Sequence, residues 1–284
     1  MSQDLITAAA LQAHLANGSP SLLIDCSFDL ADPAAGRRQH DQRHLPGALY
    51  LHLDDDLSGA KADGQRGRHP LPERALFVQR MATVGLHDDL PVVAYDSSGG
   101  MYAARLWWLL RWVGHAAVQV LDGGLAAWDE AGGALQAGPV AARVPGRLSA
   151  RQAGVTALDY ATLRASLGQP GRLVVDARSP DRFRGENETL DPVGGHIPGA
   201  VNRFFRDNLA ANGCFKPAHQ LQAEWLVVSG GRPAEALVMQ CGSGVTACHN
   251  LLALAVAGRG GAALYPGSWS EWCAQPGAPV ATGG

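Results

Sequence analysis

One internal duplication constrains the possible fold of this chain more than any other feature of its sequence. Three short motifs occur twice in the same order, 144 to 152 positions apart: His44-Leu-Pro-Gly-Ala48 with His196-Ile-Pro-Gly-Ala200, Leu22-Leu-Ile-Asp25 with Leu173-Val-Val-Asp176, and Asp122-Gly-Gly-Leu-Ala-Ala-Trp128 with Pro266-Gly-Ser-Trp-Ser-Glu-Trp272. Common turn motifs can recur separately, but three pairs in one order favour two copies of one domain.

The duplication divides the 284 residues into two domains. Residues 1–138 are predicted as the first copy and residues 154–284 as the second, each near the roughly 150 residues of a common domain. Residues 139–153 are rich in Ala, Pro and Arg and lack an apolar period. This composition predicts a linker.

Each copy alternates short apolar runs with longer amphipathic stretches. The predicted strands cover residues 22–25, 92–95 and 118–121 in the first copy, and 173–176, 237–240 and 263–265 in the second. The predicted helices cover residues 72–84, 101–113, 125–131, 157–166, 217–228 and 245–258. This alternation predicts an α/β fold in which each copy has a mostly parallel sheet with helices on both faces. Such sheets place their sites beyond the carboxyl ends of their strands.

Composition argues against several classes of function. A net charge of −3 provides no polyanion-binding face, so we expect no nucleic-acid partner. The five cysteines are odd in number and contain no Cys-x-x-Cys pair, which argues against a disulfide framework or a zinc ribbon and favours the reduced cytoplasm. We expect no metal and no cofactor. The first residues do not resemble a signal peptide, and no apolar run approaches the ~20 residues of a bilayer span, so no membrane partner is expected.

A cysteine follows the predicted strand 237–240. Cys241 precedes Gly242, Ser243 and Gly244, and the next predicted helix begins at about residue 245. Two glycines allow the backbone N–H groups to curl inward, and a helix N-terminus adds free donors and partial positive charge. Such a cradle stabilises a thiolate and any anion bound to it, so Cys241 is predicted to be an activated nucleophile. The alternative is a buried structural cysteine before an ordinary turn. Cys248 is interpreted as a packing residue.

The same position in the first copy carries no thiol. The predicted strand 92–95 is followed by Asp96-Ser-Ser-Gly-Gly100, so an aspartate stands where the second copy has Cys241. One active copy and one inactive copy is the simplest interpretation.

Two chemistries suit a cysteine in an anion cradle after a strand. Cysteine phosphatases require an arginine six positions after the cysteine to clamp the phosphate, but that position here is Ala247. Transfer of a sulfur atom through a persulfide needs no such arginine. A third possibility is a catalytically idle binding module that uses the first copy as a docking surface, which the intact cysteine loop argues against.

Together, these features resemble the tandem-domain rhodaneses over nearly the whole chain. The loop at residues 241–247 is similar to that of the 3-mercaptopyruvate sulfurtransferases in this family. Thiosulfate-using rhodaneses usually carry Arg and Lys directly after the cysteine, where this chain has Gly242 and Ser243. The resemblance implies transfer of sulfur from 3-mercaptopyruvate, with release of pyruvate, through a persulfide on Cys241. The implied acceptor is cyanide or a thiol, either a small thiol or a thioredoxin-like protein. Thiosulfate is the alternative donor.

The resemblance also implies a hydroxyl relay beside the cysteine. It pairs Ser243 with His69 and with an aspartate, matched to Asp54, although Asp55 and Asp56 are open alternatives. A relay of this kind delivers a proton to the pyruvate enolate that leaves when the C–S bond breaks. The remaining substrate-binding residues that it implies are those of the loop: Gly242, Gly244, Val245, Thr246 and Ala247.

An arginine is implied for the donor carboxylate. Arg182 matches the family's main carboxylate-binding residue, and arginine suits bidentate contact with a carboxylate. The family pattern continues with a second arginine nine residues later, but this chain has Asp191 there. Arg178 and Arg184 are the nearest candidates to substitute. A structural ion pair is the alternative role for Arg182.

Overall fold

The computed structural model describes residues 3–61 and 66–284. The chain forms two compact units. The first unit comprises Met1–Gly59, Leu71–Gly154 and Ala210–Phe215, and the second comprises Ala60–Pro70, Val155–Leu209 and Lys216–Gly284. A short segment from the N-terminal half of the sequence, Ala60–Pro70, therefore belongs to the C-terminal unit.

Over its described residues, the first unit alternates five strands with five helices. In chain order these are β1 (Leu5–Ile6), α1 (Ala8–Ala16), β2 (Leu22–Asp25), α2 (Ala35–Gln42), β3 (Leu49–Tyr50), α3 (Arg74–Thr83), β4 (Val92–Tyr95), α4 (Ala103–Trp112), β5 (Val118–Leu121) and α5 (Gly124–Glu130). The order of strands in the sheet is β1-β5-β4-β2-β3, and every neighbouring pair is parallel.

The second unit repeats this plan. Its elements are β6 (Thr156–Ala157), α6 (Tyr160–Ala165), β7 (Leu173–Asp176), α7 (Pro180–Arg184), β8 (Val201–Asn202), α8 (Ala218–Val228), β9 (Leu237–Gln240), α9 (Thr246–Val256), β10 (Ala263–Leu264) and α10 (Ser268–Trp272), with short 3₁₀ turns at Phe205–Asn208 and Ala234–Ala236. The strand order is β6-β10-β9-β7-β8, again with parallel neighbours. The α/β architecture of the two copies is thereby confirmed.

The central strands explain the sequence pattern that identified them. All residues of β2, β4, β7 and β9 are buried. A parallel strand that is covered on both faces reads as a continuous apolar run and not as an alternating one. The strands therefore form the centre of each core, where Leu23 and Val93 pack in the first unit and Val174 and Val238 in the second.

The repeated His-x-Pro-Gly-Ala motif shapes a turn in each unit. Both histidines are buried, and each donates a ring N–H to a backbone carbonyl: His44 to His40 at 2.6 Å and His196 to Phe183 at 2.9 Å. The glycines of the motif, Gly47 and Gly199, have φ angles of +72° and +79°, which glycine adopts without strain. The motif thus has an architectural role in both copies.

All of the predicted strands and helices are present. Five of the six predicted strands have the predicted bounds, and the sixth ends one residue earlier, at Leu264. Each predicted helix is present with ends within three residues of the prediction. Residues 139–153 contain neither helix nor strand, but they lie along the first unit through backbone hydrogen bonds such as Gly146 N–H to Ala82 O (2.8 Å) and Arg151 N–H to Val113 O (2.9 Å).

In the parts of the chain that the structure describes, none of the helices is both long enough and apolar enough to span a bilayer.

Candidate active site

The cysteine loop lies at the carboxyl end of β9, as the parallel sheet predicts. Cys241 is only 2% exposed and directly follows Gln240, the last residue of the strand. The N–H of Gly244 donates a hydrogen bond to Sγ of Cys241 at 3.1 Å, and α9 begins two residues later at Thr246. A backbone N–H bonded to the sulfur, in a loop that leads directly into a helix N-terminus, is an arrangement that suits an anion such as a persulfide.

Gly244 cannot be replaced by another residue type without disturbing the cysteine loop. Its φ angle is +78°, and a methyl group on its Cα would lie 2.3 Å from the carbonyl oxygen of Pro266. Contact with another backbone leaves no room for adjustment, so glycine is required for both the conformation and the close approach.

The segment around α10 holds the backbone of the cysteine loop through hydrogen bonds. Oγ of Ser268 accepts the N–H of Cys241 at 3.1 Å and donates to the carbonyl of Tyr265 at 2.9 Å. The N–H groups of Trp269 and Ser270 donate to the carbonyls of Cys241 and Gly242, both at 2.9 Å. These bonds satisfy the buried backbone of the loop and hold the direction of its remaining N–H groups.

The structure brings Ser243 and His69 together within the second unit. Oγ of Ser243 and Nδ1 of His69 are 2.7 Å apart, and both residues are buried. The segment that carries His69 is held by the N–H of Arg68, which donates to Oγ of Ser270 at 3.1 Å. Of the other predicted loop residues, Val245 and Ala247 are buried and Thr246 is half-buried.

The aspartates predicted as alternative relay partners lie in a turn of the first unit. Asp55 is exposed and forms an ion pair with His52 at 3.2 Å. Asp56 is buried and accepts a hydrogen bond from Nε of Arg80 at 2.6 Å. Asp54 is half-buried in the same turn. The match of Asp54 to the relay aspartate stays a prediction.

Arg182 lies on the short helix α7 and is oriented by a carboxylate. Its Nε and Nη2 donate to the two carboxylate oxygens of Glu188 at 3.0 and 2.8 Å. Burial, the largest single effect, raises the pKa of Glu188. The hydrogen bond and charge of Arg182, together with backbone N–H groups, outweigh burial and hold this pKa below its usual value. The Arg182 side chain is 20% exposed. A methyl group on Gly242 would lie 3.5 and 3.6 Å from its two terminal nitrogens, which places the guanidinium beside the cysteine loop.

A second guanidinium that the sequence did not single out lies at the same place. Nη2 of Arg68 would be 2.8 Å from a methyl group on Gly242, and Nη1 of Arg68 forms an ion pair with Asp191. The Asp191 side chain is 3% exposed, and burial raises its pKa while the positive charge of Arg68 opposes the rise. Arg68 thus gives Asp191 the opposite charge that a buried carboxylate needs.

The two arginines considered as substitutes at the sequence level have other partners. Arg178 donates to Asp176 at 2.7 Å, to Glu188 at 3.3 Å and to the carbonyl of Gly195 at 2.7 Å, and its side chain is 1% exposed. Arg184 is partly exposed and pairs with Glu186 at 2.7 Å. Sequence reasoning missed Arg68, although a cation adjacent to His69 was a signal that could have indicated it.

The loop of the first unit holds an anion of its own. The two carboxylate oxygens of buried Asp96 accept four backbone N–H groups, from Ser98 at 2.7 Å and from Gly100, Tyr102 and Ala103 at 2.9 Å each. The N–H groups therefore converge on a fixed carboxylate, which explains how this copy keeps the loop shape without a thiol.

The histidines, cysteines and carboxylates of residues 3–61 and 66–284 form no group of three or more that could hold a metal ion.

A model of the rhodanese-like domain matches the chain twice, at residues 7–131 and 159–275. The chain belongs to the rhodanese family. This rhodanese is 49% identical over 284 residues to a probable 3-mercaptopyruvate sulfurtransferase of Pseudomonas aeruginosa, with 99% of each chain covered.

Two further likenesses span most of this rhodanese. It is 41% identical over 285 residues to SseB of Mycobacterium tuberculosis, a putative thiosulfate sulfurtransferase, covering 99% of this chain and 98% of the other. The solved structure of 3-mercaptopyruvate sulfurtransferase from Leishmania major superposes with a TM-score of 0.83 at 28% identity, over 97% of this chain and 76% of that one.

Proposed function

We propose that this rhodanese is a 3-mercaptopyruvate sulfurtransferase that works through a persulfide on Cys241. The observation that carries the proposal is the loop itself: a buried thiol that receives an N–H bond from Gly244, with Ser243, two residues after the cysteine, hydrogen-bonded to His69. The relatives named for this activity support it.

The reaction has two halves. The Cys241 thiolate attacks the sulfur of mercaptopyruvate, an S–S bond forms, and the C–S electron pair leaves with carbon as the enolate of pyruvate. The enolate takes a proton, for which Ser243 and His69 form the delivery path. An acceptor thiolate or cyanide then attacks the outer sulfur, and the electron pair of the S–S bond returns to Cys241 as thiolate.

Arg182 is proposed to bind the donor carboxylate. Its guanidinium lies beside Gly242 and is oriented by Glu188, and it is partly exposed, so that it can contact an incoming anion. Residues 242–247 are proposed to offer backbone N–H groups to the same donor. A planar guanidinium suits a carboxylate because it can make two parallel hydrogen bonds.

The two copies are proposed to divide the work. The copy at residues 1–138 lacks the thiol, because Asp96 stands in its loop, and the copy at residues 154–284 carries Cys241, with residues 139–153 as the connecting segment. The five cysteines are free thiols, which fits a reduced cytoplasmic setting and an acceptor such as a small thiol or a thioredoxin-like protein.

Thiosulfate is the second candidate donor. The relative named as a putative thiosulfate sulfurtransferase favours it, and so do the two guanidinium groups beside Gly242. Thiosulfate carries two negative charges, and attraction scales with the product of the charges. Its leaving group, sulfite, needs no proton delivered to carbon, so the Ser243–His69 pair would have no corresponding task.

Steady-state kinetics with both donors against one acceptor test the proposal. We expect a higher kcat/KM for mercaptopyruvate than for thiosulfate, with stoichiometric pyruvate. Cys241→Ser is expected to abolish turnover of both donors, whereas the matched control Cys214→Ser, in the first unit, keeps it. A preference for thiosulfate would favour the second candidate, and full activity of Cys241→Ser would end both.

A further inference from the structure

We propose that Arg68, held in place by Asp191, is a second donor-binding residue of this site. The inference deepens the proposed function and rests on it. It assigns to one residue of the segment Ala60–Pro70 a contact with the carboxylate of the sulfur donor, and to Asp191 the role of positioning that residue.

The first support is location. A methyl group added to the Cα of Gly242 would have the two guanidinium groups as its nearest neighbours. Nη2 of Arg68 would lie 2.8 Å from it and Nη2 of Arg182 3.5 Å from it. Gly242 directly follows Cys241, so both cations lie next to the residue that bonds the donor sulfur. In mercaptopyruvate the sulfur and the carboxylate are separated by only two carbon atoms, so a donor bonded to Cys241 brings its carboxylate within reach of these groups.

The second support is accessibility combined with restraint. The Arg68 side chain is 28% exposed, while its partner Asp191 is 3% exposed. The ion pair engages Nη1, and the N–H of Arg68 is bonded to Ser270. A guanidinium fixed through one edge keeps further N–H donors on its other edge for a ligand, and a group already oriented loses less entropy on binding.

The third support is the balance of charge. Three arginines and three carboxylates form one connected chain of ion pairs: Arg68–Asp191, Asp191–Arg182, Arg182–Glu188, Glu188–Arg178 and Arg178–Asp176. The chain is neutral as a whole. Without Arg68 it would hold one excess negative charge beside the loop, and a donor anion would be repelled.

These facts explain how Asp191 is compatible with binding of an anion. A buried carboxylate next to a carboxylate-binding arginine opposes the donor unless a cation neutralises it. Arg68 supplies that cation. Its Nη1 pairs with Asp191, and its Nη2 lies beside Gly242, where the guanidinium of Arg182 also lies. The pair Arg68–Asp191 therefore acts as one unit, in which Arg68 touches the donor and Asp191 orients Arg68.

Alkylation of Cys241 tests this without relying on turnover. The thiolate displaces iodide from iodoacetate, which carries a carboxylate, or from iodoacetamide, which is neutral and of similar size. The ratio of the two rate constants at Cys241, read by peptide mass spectrometry, reports attraction of a carboxylate to the site. Wild type, Arg68→Ala and Arg182→Ala are compared with Arg184→Ala, the matched control, whose arginine pairs with Glu186.

We expect Arg68→Ala to lower the iodoacetate-to-iodoacetamide ratio by roughly tenfold or more, the usual effect of losing a charge-assisted hydrogen bond. Iodoacetamide should react within about twofold of wild type, and Arg184→Ala should leave the ratio unchanged. KM for mercaptopyruvate should rise in parallel with the loss in ratio, with a smaller change in kcat. An unchanged ratio in Arg68→Ala, or an equal fall of both rates, would overturn the assignment.

A double-mutant cycle tests the role of Asp191. If Asp191 acts by orienting Arg68, Arg68→Ala should change the alkylation ratio less in an Asp191→Asn background than in wild type. An equal change in both backgrounds would remove Asp191 from the proposal. Should mercaptopyruvate prove not to be a donor, the proposed function fails, but the alkylation ratio still decides whether Arg68 binds a carboxylate.

Discussion

Gly242→Ala separates the function of the arginines from the integrity of the loop. Gly242 is not among the residues with a positive φ angle, so alanine brings no backbone strain there. Its methyl group would nevertheless lie 2.8 Å from Nη2 of Arg68. Ordinary contact begins near 3.5 Å, so the end of Arg68 must retreat by about 0.7 Å.

The retreat costs little stability because a flexible side chain moves and no backbone does. We expect a loss of about 1 kcal/mol or less, which corresponds to a shift in Tm of roughly 2–4 °C at this size. The effect on binding is larger, since a misplacement of about 1 Å can lower a rate by up to about 100-fold. We predict a fall of roughly tenfold in kcat/KM for mercaptopyruvate, mostly through KM.

The control is Gly244→Ala in the same loop. Its methyl group would meet the backbone of Pro266 at 2.3 Å with φ at +78°, so it should lower both Tm and activity severely. Thermal unfolding and steady-state kinetics on the two variants check the contrast. Unchanged kinetics in Gly242→Ala, or a loss of Tm as large as that of Gly244→Ala, would refute the reasoning. In an Arg68→Ala background the effect of Gly242→Ala should largely disappear.

Substitutions of Asp96, Ser243 and Glu188 test the other contacts. Asp96→Ala leaves four backbone N–H groups, three of them buried, without their acceptor and should destabilise the protein by about 3–5 kcal/mol in urea unfolding; a loss below about 1 kcal/mol would contradict this role. Ser243→Ala should lower kcat with mercaptopyruvate by roughly 100-fold while sparing thiosulfate, whose leaving group needs no proton at carbon; equal losses with both donors would argue against the relay. Glu188→Gln should raise KM for mercaptopyruvate throughout pH 5–8, because the pKa of Glu188 lies below its ordinary value of 4.5 and the carboxylate is charged over that range. Its contribution to stability is present above 4.5 and is lost as pH falls through the lower pKa of the folded state, so the difference in unfolding free energy between wild type and Glu188→Gln should shrink in acid.

The strands and the cysteine loop could be predicted because their signals are local. Four consecutive apolar residues mark a buried parallel strand, and two glycines after a cysteine mark a turn that exposes N–H groups. Strands of two residues, such as β3 and β8, carry no period, and sequence patterns passed over them. The helices α1, α2, α7 and α10 were also missed. Two of them, α7 and α10, have only five residues each, and α2 (Ala35–Gln42) is polar on most of its surface.

The charged part of the site could not be predicted from local pattern. Ser243 and His69 are 174 positions apart, and Arg68 and Asp191 are 123 apart. Pairings over such distances depend on the folded chain, and resemblance supplied the first pair but not the second. Asp191 looked like a departure that weakened the site, yet the structure shows the arginine that neutralises it.

The persulfide itself gives the most direct test of the account. Wild-type protein is incubated with mercaptopyruvate without acceptor, and its intact mass and the mass of the Cys241 peptide are measured before and after cyanide. The account predicts one added sulfur atom per chain, located on Cys241, released by cyanide and absent from Cys241→Ser. Sulfur on another cysteine, or none on a chain that still produces pyruvate, would contradict it.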